Sequence, residues 1–229
     1  MTAAGVETPP VPPVPPAPAA GAARPGRLAA SAARLAWLHL RSRRGPAAIA
    51  ALTACAVALR AVLHWQLTSG GADAQQIPMI IEGGAAVLIA VTTHSPFGEA
   101  ERGAVRWLPL LRLGAVLALT GVAIGLLQLG VTGASLPGGV LTLARNVIGV
   151  TGIGLLASLV TGGLLAWIPP LGYIGFAQYA LIEAWRNPWT WPVRPAADRG
   201  AWICAVVVFV VGLAAFTLRG ARTSLADNG

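Results

Sequence analysis

Residues 201–218, AWICAVVVFVVGLAAFTL, contain no charged side chain. Such a run is at home in hydrocarbon, where its backbone N–H and C=O groups find no water. An α-helix satisfies them within the run itself. Five further apolar runs precede it, at about 47–67, 76–93, 111–130, 146–168 and 171–185. A helix that crosses a bilayer takes roughly 20 residues. The fifth run, which begins after Pro169-Pro170, is short by that measure. With 201–219 as the last, the pattern predicts an all-α membrane protein with six transmembrane helices.

Composition supports the same class. Charged residues make up 10% of the 229 residues, against roughly 25% in soluble domains. A surface in water cannot be covered with so few charges, and the mean hydropathy is +0.69. The net charge is +8, and every basic residue other than histidine is Arg. Those arginines flank apolar runs, where membrane topology accounts for them, so nucleic acid is not an expected partner. Cys55 and Cys204 both lie inside apolar runs and read as small core residues, neither a disulfide nor a metal pair.

The apolar block has distinct flanks. Residues 1–26 are rich in Pro and Ala and read as a disordered, polyproline-like tail. No secretory signal pattern is read there. Residues 27–45 read as an amphipathic helix, with Leu28, Ala32, Leu35 and Leu38 on one face. Its Trp37 and the cluster Arg41, Arg43 and Arg44 suit the boundary between water and lipid. Gly45-Pro46 then starts the membrane domain, 46–222, and 223–229 is a short tail.

Orientation follows from the arginines, which favour the cytoplasmic side. With the N terminus inside, the inner side holds Arg24, Arg27, Arg34, Arg41, Arg43, Arg44, Arg102, Arg106, Arg112, Arg219 and Arg222. The outer side holds Arg145, Arg186, Arg194 and Arg199. Both termini and the stretch 94–110 are therefore expected in the cytoplasm, with 27–45 lying along the cytoplasmic membrane surface.

The stretch 94–110, HSPFGEAERGAVRWLPL, is the charged interruption between the second and third runs. Ser95-Pro96 reads as a helix start, with Ser at the N-cap and Pro after it. Glu99 and Glu101 fall early, where a helix N-terminus favours anions. Arg102 and Arg106 come later, and Pro109 ends or kinks the segment. Taken alone, these residues fit either a solvated loop that fixes topology or a handle for a partner.

The layout from 27 to 222 resembles the membrane subunit of a type-2 ABC exporter. In that family an interfacial helix precedes six spans, and a coupling segment between spans two and three docks on an ATP-binding subunit. Its pattern of two acids, a Gly, Leu-Pro and a basic residue reads here as Glu99, Glu101, Gly103, Leu108-Pro109 and Arg112. Ala104 stands where Thr often follows the Gly. The short connection between spans four and five and the outer excursion between spans five and six correspond to 168–171 and 185–200. The resemblance implies a permease in a bacterial plasma membrane. It implies that Glu99, Glu101, Arg102 and Arg106 couple to a separate ATPase. It also implies a second permease chain, identical or not, and ATP-Mg held by the partner, with no cofactor on this chain.

Two ionisable residues lie deepest in apolar runs, Arg60 and Glu82. Each is about 10 Å from the outer end of its span at 1.5 Å per residue. Equal depth on adjacent antiparallel helices permits an ion pair, and His64 lies one turn from Arg60. Such a group is either a clamp between helices or a polar contact in a transport path. In 185–200, Trp185, Trp189 and Trp191 alternate with Pro188, Pro192 and Pro195. This reads as a re-entrant or interfacial cap, or as a plain aromatic belt. The glycines of 149–163 suit close helix packing, within the chain or between chains.

No HExxH, GxSxG or phosphate-binding Lys motif occurs, so a catalytic or metal site is not expected on this chain. Besides the exporter permease, two other functions fit the composition: a membrane scaffold or accessory subunit, and a secondary transporter.

Overall fold

The computed structural model describes residues 45–66, 73–92, 108–136, 138–162, 165–185 and 187–219. Among them it contains six α-helices and no strand. These are α1 (Gly45–Gln66), α2 (Asp73–Thr92), α3 (Leu108–Val131), α4 (Gly139–Thr161), α5 (Ile168–Ile182) and α6 (Arg199–Arg219). A single 3-10 turn, Trp191–Val193, lies between α5 and α6. Five helices are long and apolar enough to cross a membrane: α1, α2, α3, α4 and α6. This is the pattern of a multi-pass membrane protein. The tails and the stretch 94–107 lie outside the described residues, as does the expected interfacial helix 27–45 except for Gly45, which begins α1.

α5 has 15 residues, about 22 Å at 1.5 Å per residue. That is short of the roughly 30 Å hydrocarbon layer. The sequence places its start after Pro169-Pro170, but the helix includes both prolines in its first turn. There the missing N–H groups would have had no intrahelical partner, and the fixed φ already suits a helix.

The largest displacement is in α4. The apolar run predicts a helix at 146–168, whereas the observed helix is Gly139–Thr161. Arg145, expected on the outer side, and Asn146, the first residue of the predicted run, are both buried in its second turn. Gly162, with φ 77°, ends the helix in the left-handed region that a side chain disfavours.

α4 packs against α2, α3, α5 and α6, while α1 closes the bundle against α2 and α3. Leu52 and Leu59 of α1, Ile89 of α2, Leu127 of α3 and Leu143 and Val147 of α4 form the main apolar core. Glycines set the closest approaches. A Cβ on Gly152 would lie 2.6 Å from the Phe209 backbone, and one on Gly212 would lie 2.6 Å from the Gly152 carbonyl oxygen. Gly130 of α3 meets the Ala56 carbonyl of α1 in the same way. The glycines at 149, 152 and 154 therefore serve packing within the chain.

Candidate functional site

The connection between α5 and α6 is the most elaborate part of the described chain, and both of its ends have defined local causes. α5 stops in a Schellman turn. The Ala184 N–H donates to the Leu181 carbonyl and the Trp185 N–H to the Ala180 carbonyl. Ala184 takes φ 53°, a value that glycine usually supplies. α6 starts at Asp198, whose Oδ1 accepts from the Ala201 N–H at 2.8 Å as an N-cap. The same carboxylate pairs with Arg194. The Ala201 N–H and the Arg194 guanidinium hold the Asp198 carboxyl below the usual carboxylate range.

Between these ends the chain folds back into the bundle. Trp191 is 3% exposed and packs with Ala201 and Ala205 of α6. Its ring centroid lies 4.6 Å from that of Tyr173 on α5. On α4 the indole covers Gly149, where a Cβ would come within 2.7 Å of the ring. Gly149 is about 15 Å along α4 from Gly139 at the helical rise, so the excursion reaches well below the start of α4.

A backbone segment inside an apolar bundle needs partners for its carbonyls. Side chains from four helices provide them. Tyr173 of α5 donates its hydroxyl to Trp189 O at 2.8 Å. Gln75 of α2 donates to Pro192 O at 3.3 Å. Arg145 of α4 donates to Arg194 O and Pro195 O, each at 2.8 Å. Trp202 of α6 donates its indole N–H to Ala196 O at 2.9 Å. The prolines at 188, 192 and 195 lack an N–H to satisfy in the same setting.

Arg145 is fully buried. A cation in such a place is costly unless its donors are engaged, and the two carbonyls engage both terminal nitrogens. Next to it on α4, the Asn146 Nδ2 donates to Glu82 Oε2 at 2.7 Å. Glu82, Arg145 and Asn146 thus join α2, α4 and the excursion in one buried polar layer. Thr142 closes this turn of α4 with a bond to Gly138 O at 2.7 Å.

The structure does not make the ion pair that equal depth permits. Arg60 donates to Thr132 O at 3.0 Å, beyond the end of α3. Its side chain is exposed, and His64 is exposed in the last turn of α1. Glu82 faces α4 instead. Depth along a span was legible, but which of two neighbouring helices a side chain faces was not. Of the expected cap residues, Trp191 is buried while Trp185 and Trp189 remain half-exposed against Phe176. Glu99, Glu101, Arg102 and Arg106 lie outside the described residues.

Sequence reasoning missed Arg145 and Asn146 as interior residues. The available signal was the pair Arg-Asn followed by the near-continuous apolar run 147–161. An apolar groove of about 560 Å³ opens beside the excursion, lined by Ile153 and Leu156 of α4, Tyr173 of α5, Trp189 and Trp191. Its largely apolar lining suits hydrocarbon. Among the described residues, no group of three or more His, Cys, Asp or Glu side chains could hold a metal ion. No protein-family model, curated protein or solved structure matches the chain.

Proposed function

We propose that this chain is the permease subunit of an ATP-driven exporter in a bacterial plasma membrane, with both termini cytoplasmic. One observation carries the reading: a short α5 followed by an excursion folded back against α4 and α6, in a bundle of apolar helices. The resemblance to type-2 ABC exporters implies an outer excursion between spans five and six. α5 is taken as the fifth of six spans, despite its length. ATP-Mg is bound and hydrolysed on a separate cytoplasmic subunit. Glu99, Glu101, Arg102 and Arg106 transmit the motion, and a second permease chain completes the path. Lipid surrounds the assembly, and the apolar groove beside Trp189 faces it.

The test is recovery of partners from the native membrane in mild detergent. Wild-type chain is expected to bring down an ATP-binding subunit. The Glu99→Lys, Glu101→Lys double variant is expected to lose that subunit while still inserting. Wild-type chain that inserts correctly and recovers no ATP-binding protein would refute the exporter reading. Scaffold or secondary-transporter roles would then lead.

A further inference from the structure

The Glu82–Asn146 contact is only half satisfied. Glu82 is 3% exposed and Asn146 is 4% exposed, so bulk solvent contributes little to their bonding. The Asn146 Nδ2 donates to Glu82 Oε2, while the buried Asn146 Oδ1 has no hydrogen-bond partner. A carboxylate has acceptors only, so it cannot serve an amide oxygen. Turning the amide over does not help, because Oδ1 would then face the carboxylate and Nδ2 would lose its bond. A carboxylic acid has one O–H donor and one C=O acceptor, the complement of an amide's edge.

We infer that Glu82 and Asn146 form a buried proton-binding site, in which the protonated Glu82 carboxyl donates to Asn146 Oδ1 while accepting from Asn146 Nδ2. The proton comes from water onto a carboxylate oxygen and returns to water on release, and no other bond is made or broken. Loading the site ties α2 to α4 by two bonds, and unloading leaves one.

Several charged and titratable groups surround the pair. On α4, Arg145 places both terminal nitrogens on the carbonyls of Arg194 and Pro195, and its charge also acts on Glu82 without a direct hydrogen bond. On α5, the Tyr173 hydroxyl donates to Trp189 O. On α1, Arg60 bonds to Thr132 O, and His64 is exposed. In the excursion, Arg194 pairs with Asp198. On α3, Arg112 lies in the first turns, at the opposite end from Thr132. The inference is independent of the exporter reading.

The full chain in lipid nanodiscs, studied by infrared spectroscopy across a pH titration, tests it. In the difference between wild-type and Glu82→Gln spectra, a protonated-carboxyl C=O band belonging to Glu82 is expected, and it disappears on alkalinisation. Gln supplies an N–H in place of the acid O–H, so this variant retains both bonds. It is expected to melt with the acid-form wild type and to hold that temperature when wild type falls at higher pH. In Asn146→Leu the band should move to the position of a free carboxylic acid. Absence of any Glu82-dependent band from acid to neutral pH would overturn the site. A band unmoved by Asn146→Leu would overturn the pairing.

Discussion

α3 and α4 are nearly equal in length, at 24 and 23 residues, yet they occupy opposite positions in the bundle. α3 is the more apolar, with a mean hydropathy of 2.1 against 1.7, yet 22% of its apolar window is buried against 67% for α4. α4 carries Thr142, Arg145, Asn146, Thr151 and Ser158 as buried residues, whereas α3 buries Thr120 alone among its polar side chains. In water the most apolar helix seeks the core. In a bilayer, lipid serves apolar surface as well as protein does, and polar groups gain most from protein neighbours. Small residues add to this, because Gly149, Gly152 and Gly154 let Trp191, α6 and α2 approach α4 closely.

The contrast is broken most strongly at the contact that depends on α4. Trp191→Ala leaves a cavity over Gly149, and such truncations cost about 3–5 kcal/mol. Thermal unfolding in detergent should show that loss. Trp189→Ala, at a half-exposed ring, should show a much smaller one.

Next is Arg145→Met, which keeps much of the volume but leaves the carbonyls of Arg194 and Pro195 without donors. Orphaned buried groups of this kind cost about 1–3 kcal/mol each. Limited proteolysis should then cut within 187–198, where wild type resists. Arg60→Met, at an exposed position on α1, should leave that segment protected.

Glycine substitutions sharpen the comparison with opposite signs. Gly152→Ala drives a methyl into the α6 backbone, and overpacking of this sort costs about 1–3 kcal/mol. Gly121→Ala on α3 meets nothing within 4 Å, so helix propensity dominates and favours Ala by up to about 1 kcal/mol. Paired unfolding measurements should place the two variants on either side of wild type. An effect of the same size as that of Gly121→Ala belongs to Ala184→Gly. Relief of the left-handed backbone should raise stability by about 1 kcal/mol, read as a modest rise in melting temperature.

Hydrocarbon runs made most of the helices legible. α1, α2, α3 and α6 begin and end within about three residues of the predicted runs, because their limits are set by local hydropathy. α4 was misplaced by seven residues at each end, since Arg145 resembles a boundary until its partners are known. Those partners, Arg194 O and Pro195 O, lie 49 and 50 residues further along the chain. The same limit applies to Glu82, whose partner is 64 residues away on α4. Periodicity reports what one segment needs, but a tertiary hydrogen bond depends on two segments. The tryptophans and prolines of 185–200 fit a cap and a plain aromatic belt equally well, and nothing in their local pattern distinguishes the buried Trp191 from the half-exposed Trp185 and Trp189.

The most direct test is hydrogen–deuterium exchange on the full chain in lipid nanodiscs, comparing amides 187–198 with those of α4. An excursion folded into the bundle and held by Arg145, Tyr173, Gln75 and Trp202 should exchange nearly as slowly as α4. Arg145→Met should release it. Exchange of 187–198 at the rate of an open loop in wild type would contradict the account, because Trp191 and the Arg145 bonds could not then be in place.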